Sequence, residues 1–102
     1  MIDTPSGVYY TVQRQSWHLS GDGGADKDYD EVAERATFRE ALAVALTFPG
    51  QLYIDEVNTR KRGTINHCRL VCKVRFNEIA FEWKAQADAC LAQQINEREI
   101  AA

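Results

Sequence analysis

The spacing of apolar residues changes several times along the chain, and each change marks an element. The cleanest stretch is 64–76. There Cys68, Leu70, Cys72, Val74 and Phe76 alternate with Arg69, Val71, Lys73 and Arg75. A period of two puts successive side chains on opposite faces of a strand. The first set is expected inward and the second outward. Upstream, residues 51–58 place Leu52 and Ile54 on one face and Tyr53, Asp55 and Val57 on the other. Residues 59–63 (TRKRG) form the turn between them, so the two stretches predict an antiparallel hairpin.

Elsewhere the spacing widens to three and four. Phe38, Ala41, Leu42, Ala45 and Leu46 form one apolar stripe of a helix. Thr37 with Glu40 makes a capping box, and Pro49-Gly50 stops the chain from continuing. The helix is predicted over 38–48. A second helix is predicted over about 77–97, with Asn77 as its N-cap and Glu78 near the positive end of its dipole. Its apolar face would be Phe76, Ile79, Ala80, Trp83, Ala87, Cys90, Leu91 and Gln94. A competing reading makes Ile79, Phe81 and Trp83 a further strand after a turn at Asn77-Glu78. The alanine-rich continuation favours helix, because alanine loses least on entering one.

The N-terminal part is less regular. Residues 7–19 are rich in Tyr, Val, Thr and Trp, which suit a pleated surface. Tyr10 and Val12 point one way and Trp17 and Leu19 the other, which a bulge, or the strand leaving the sheet, near Arg14 would reconcile. Residues 20–25 (SGDGGA) are a glycine-rich turn. Residues 28–35 either return as the second arm of a hairpin or stay irregular.

These elements predict one α+β domain over 8–102, after a lead-in at 1–7. An antiparallel sheet of three or four strands would carry two helices on one face. A chain of 102 residues is one domain by size, able to bury about two-thirds of its unfolded surface. Its apolar and charged fractions, 45% and 26%, are those of ordinary globular domains. No apolar run approaches the roughly 18–20 residues of a membrane-spanning helix, so no membrane partner is expected. The first residues lack the basic start and apolar core of a secretory signal.

Charge adds what periodicity does not. The net charge is only −3, yet the charges are segregated. Between 22 and 34 stand Asp22, Asp26, Asp28, Asp30, Glu31 and Glu34 with a single base, Lys27. Between 60 and 75 stand Arg60, Lys61, Arg62, Arg69, Lys73 and Arg75 with no acid. Each block creates a field that could steer a partner of opposite sign, or the two could attract each other within the fold. Arg69, Lys73 and Arg75 would share the outward face of one strand, with the other three bases at its turn. Such a ribbon could track phosphates. The acidic balance of the whole chain argues against a dedicated nucleic-acid binder. Tyr9, Trp17, Tyr29 and Tyr53 are candidate aromatic anchors on the sheet face away from the helices.

Catalytic and metal chemistry find little support. Counted from Asp26, the positions where a calcium loop needs Gly and Glu hold Glu31 and Thr37. His67, Cys68 and Cys72 do not make a four-ligand zinc set with His18 and Cys90. Cys68 and Cys72, about 13 Å apart on a strand, are too distant to bridge. The three cysteines read as reduced core thiols of a cytoplasmic protein. No metal, cofactor or catalytic residue is expected, and no enzyme.

The Trp17-bearing strand, the Gly21-Asp22-Gly23 turn and the capped helix from Thr37 to Leu42 resemble, in outline, small α+β proteins of phages and mobile elements such as anti-CRISPR proteins. The resemblance implies a stoichiometric inhibitor that docks on a larger complex in a bacterial cytoplasm. The expected partner is therefore a protein or nucleoprotein complex. The alternative is a nucleic-acid-binding accessory protein using the basic hairpin 60–75.

Overall fold

The computed structural model describes residues 7–19, 21–59 and 67–101, without the side chains of His18, His67 and 94–101. The chain runs β1 (Val8–Leu19), β2 (Ala25–Arg35), α1 (Phe38–Ala45), β3 (Gln51–Asn58), β4 (His67–Arg75), β5 (Glu78–Ile79), a short 3-10 turn (Phe81–Trp83) and α2 (Lys84–Ala101). The strands form one antiparallel sheet in the order β2-β1-β3-β4-β5. Both helices pack on one face of it, α1 against β1, β2 and β3 and α2 against β4 and α1. The fold is α+β, with five strands rather than three or four.

The core lies between sheet and helices. Val12 of β1, Leu52 and Ile54 of β3 and Cys72 and Val74 of β4 meet Phe38, Ala41 and Ala45 of α1 and Ala87 of α2. Tyr10 sets its ring edge-on to Phe38, with centres 5.9 Å apart. At the start of α1 the Glu40 amide donates to Thr37 Oγ1 at 3.2 Å. The Glu40 carboxylate accepts from that hydroxyl at 2.9 Å, so the box closes side chain to side chain. The helix ends at Ala45, three residues before the expected 48, because the chain must turn into β3. Gly50, at φ 91°, makes that turn in the left-handed region that glycine tolerates.

The second helix begins at Lys84, not 77. Phe76 and Asn77 both have positive φ, 51° and 67°, and form a tight turn that reverses β4 into β5. Two such residues match the twist of a hairpin. Asn77 is no helix cap. Its Nδ2 donates to the carbonyls of Leu46 and Phe48, at 2.8 and 3.0 Å, tying this turn to the end of α1. Glu78 is a strand residue, and Phe76, expected inward, is 81% exposed.

Two bulges decide which side chains share a face. Between β1 and β2 the register passes from Val12↔Ala33 to Gln13↔Glu31, leaving Val32 as an extra residue. The bulge expected in β1 near Arg14 thus lies in its partner strand, whereas β1 does part from β3 after Arg14. Between β3 and β4 it passes from Ile54↔Cys72 to Asp55↔Leu70, leaving Val71 extra and fully buried. An extra residue inverts the alternation beyond it. Cys68 and Leu70 therefore do not point into the core with Cys72. Cys68 is exposed, and Val71, expected outward, is buried.

Candidate functional site: a two-faced ribbon and the open sheet face

β1 pairs with β3 only from Val8 to Arg14, but with β2 as far as Leu19↔Ala25. Residues 15–19 and 25–29 therefore form a two-stranded ribbon that runs past the rest of the sheet. The molecule is elongated, 55 × 33 × 19 Å. At the tip the Asp22 carboxylate accepts from the Gly24 amide at 3.2 Å, a local turn bond.

Strand alternation gives the ribbon two chemistries. Asp26, Asp28 and Asp30 lie opposite His18, Ser16 and Arg14, on the helix side of the sheet plane but beyond the helices. All three are exposed. Lys27, Tyr29 and Glu31 lie opposite Trp17, Gln15 and Gln13, on the uncovered side.

On that uncovered side a line of aromatic and cationic groups crosses the sheet. Lys27 Nζ stands 5.4 Å from the Trp17 ring centre. Tyr29 meets Tyr53 edge-on at 5.4 Å. Lys73 Nζ stands 5.5 Å from the Tyr53 ring. Tyr53 is held from below, since its hydroxyl donates to Gln15 Oε1 and accepts from Gln51 Nε2. Gln13, Lys27, Tyr29, Tyr53, Asp55, Leu70 and Lys73 line a shallow cleft of about 380 Å³. Burial holds the Asp55 carboxyl above its ordinary value. Glu31 is raised too, by burial and then by its neighbour Glu34.

The four candidate anchors do share this face, but only Trp17 (60% exposed), Tyr29 (50%) and the half-buried Tyr53 are accessible. Tyr9 is 7% exposed, and burial raises its hydroxyl pKa. The basic row is divided. Arg69 faces the helix side, where its Nε donates to Glu56 at 3.1 Å, and Glu56 also accepts from the Tyr10 hydroxyl at 3.3 Å. That bond to Glu56 raises the Arg69 pKa. Lys73 and Arg75 face the open side, and Arg75 pairs with Glu82 at 2.9 Å. Arg60, Lys61 and Arg62 lie outside the described residues. The acids at 26, 28 and 30 and the bases at 73 and 75 thus occupy opposite faces of the sheet and do not neutralise each other.

Sequence reasoning passed over Lys27, Gln13, Asp55 and Leu70. Lys27 had a signal, as the single base within an acidic run. The face of Leu70 depends on the bulge at Val71.

Among the described residues no three His, Cys, Asp or Glu side chains are grouped to hold a metal ion. No helix among them is long and apolar enough to cross a membrane. Burial, with Cys90 nearby, pushes the Cys72 thiol up to about 11, the wrong direction for a nucleophile. Compared with known proteins, the chain matches no family model, no curated protein and no solved structure.

Proposed function

We propose that the chain is a non-enzymatic protein-binding module that docks its β1–β2 ribbon on a basic surface of a larger complex, as a stoichiometric inhibitor does. The observation that carries this reading is the exposed row of Asp26, Asp28 and Asp30, the first two on the part of the ribbon that runs past β3. Alternate strand residues are about 6.6 Å apart, so the three carboxylates make a straight acidic track. Charge on a projecting element sets encounter rate and orientation. The outline resemblance to proteins of phages and mobile elements makes a bacterial defence complex the first partner to test.

The test is affinity capture from a bacterial lysate with the unaltered chain and with the triple variant D26K/D28K/D30K. Stoichiometric capture of one complex by the first, lost in the second at unchanged melting temperature, is the expected result. Equal capture by both overturns the acidic-track reading.

A further inference from the structure

We infer that the open sheet face binds single-stranded nucleic acid, with bases stacked on Trp17 and Tyr29 and phosphates held by Lys27 and Lys73. This surface is not the basic hairpin tip, and it lies on the other side of the sheet from the acidic track.

The argument starts from what the face exposes. Trp17 and Tyr29 are the large rings left more than half or about half open on this side, on paired strands and two residues apart in register. Flat rings that water leaves uncovered are stacking platforms, and every base has a flat face to offer. Tyr53 is edge-on to Tyr29, so it supports that ring from one side. Its own hydrogen bonds to Gln15 and Gln51 fix it in place.

The cations stand at both ends of this aromatic line. Lys27 is over Trp17 on β2 and Lys73 over Tyr53 on β4. β2 and β4 are three strand spacings apart in the sheet order, about 14 Å at roughly 4.8 Å each. Both lysines border one cleft, which Asp55 also lines, so two cations stand there against one carboxylate. An anion passing across the rings meets one at entry and one at exit.

Between them, Gln13 offers an amide that can donate and accept, and Asp55 offers acceptor oxygens. Together they suit the edges of a base, and the Asp55 oxygens have no use to a bare phosphate. A shallow cleft floored by rings suits unstacked bases. A duplex hides its base faces from such a surface. An acidic peptide would satisfy the two lysines but would leave Trp17 and Tyr29 without flat partners.

The experiment titrates the full chain with oligothymidylate at low salt, following tryptophan fluorescence, with no partner protein present. Its result is therefore independent of the capture experiment above. Trp17 is the exposed one of the two tryptophans, so quenching is expected, and it should vanish in Trp17→Phe. Two phosphate contacts should give a slope of log affinity against log salt near −1.4, at about −0.7 per phosphate on a single strand. Tyr29→Ala and Lys73→Glu should each weaken binding at least about tenfold with melting temperature unchanged. Absence of binding at low salt overturns the proposal. So does equal affinity for duplex DNA or polyglutamate. So does binding that survives Tyr29→Ala and Lys73→Glu but is lost on reversing Arg60, Lys61 and Arg62.

Discussion

Individual residues in the core carry clear energetic consequences. Leu52 is fully buried between sheet and helices, so Leu52→Ala removes packing that the rigid sheet cannot refill. A loss of about 2–5 kcal/mol is expected in urea denaturation. Thr37→Ala removes the hydroxyl that serves both the Glu40 amide and its carboxylate, and should cost about 1 kcal/mol. The thiols separate by environment. Cys68 is exposed while Cys72 and Cys90 are buried, so a thiol reagent should titrate one group quickly in the native chain and three after denaturation. Cys72 also couples stability to alkaline pH. Its thiol moves from an ordinary 9.0 up to about 11 on folding, chiefly through burial. The unfolded chain ionises first, so this contribution is fully present below pH 9 and is lost as pH rises towards 11. About two units correspond to roughly 2–3 kcal/mol. In Cys72→Ala the fall in stability across that window should be shallower.

At the scale of elements, the turn between β4 and β5 is the informative one. Phe76 holds a left-handed conformation, uncommon for a bulky residue, and its ring is exposed and so gains little from burial. Phe76→Asn should therefore raise the melting temperature, whereas Asn77→Ala should lower it by freeing the carbonyls of Leu46 and Phe48. The same turn explains a boundary that sequence reasoning misplaced. Asn suits an N-cap, and it suits a left-handed turn equally well, so Asn77 alone does not distinguish the two. Ile79 is a strand residue in β5, as the competing pattern has it, while Phe81 and Trp83 lie in the 3-10 turn. By contrast β3 was legible over 51–58, because its alternation is unbroken and Gly50 marks its start. The faces of β4 were legible only as far as the bulge. Its one written trace is Val71, an apolar residue in a row otherwise made of Arg69, Lys73 and Arg75. For the candidate site, the acidic row and three of the four anchors could be read from sequence, but not which face each base serves.

For the whole molecule, shape follows from pairing. The radius of gyration is 15.1 Å, where a compact chain of this length has about 13 Å. The ribbon lacks a third strand. A two-stranded ribbon is marginal by itself. Amide hydrogens of 15–19 and 25–29 should therefore exchange well before those of β3, as read by hydrogen exchange with mass spectrometry. Charge is arranged on the same scale. The acidic track and the lysines that flank the open-face rings look out from opposite sides of a slab whose shortest extent is 19 Å. A partner complex that offers a basic protein surface and an exposed nucleic-acid strand would meet both sides at once.

The bulge at Val71 has a consequence in heredity. Loss of that one codon, in frame, would restore strict alternation along β4. Residues 67–70 would turn over together. Cys68 and Leu70 would swing towards the helices, Arg69 would join Lys73 and Arg75, and Glu56 would lose its guanidinium. Three nucleotides thus separate the surface this chain has from the continuous basic stripe its sequence suggests, and no neighbouring side chain need change to cross between them.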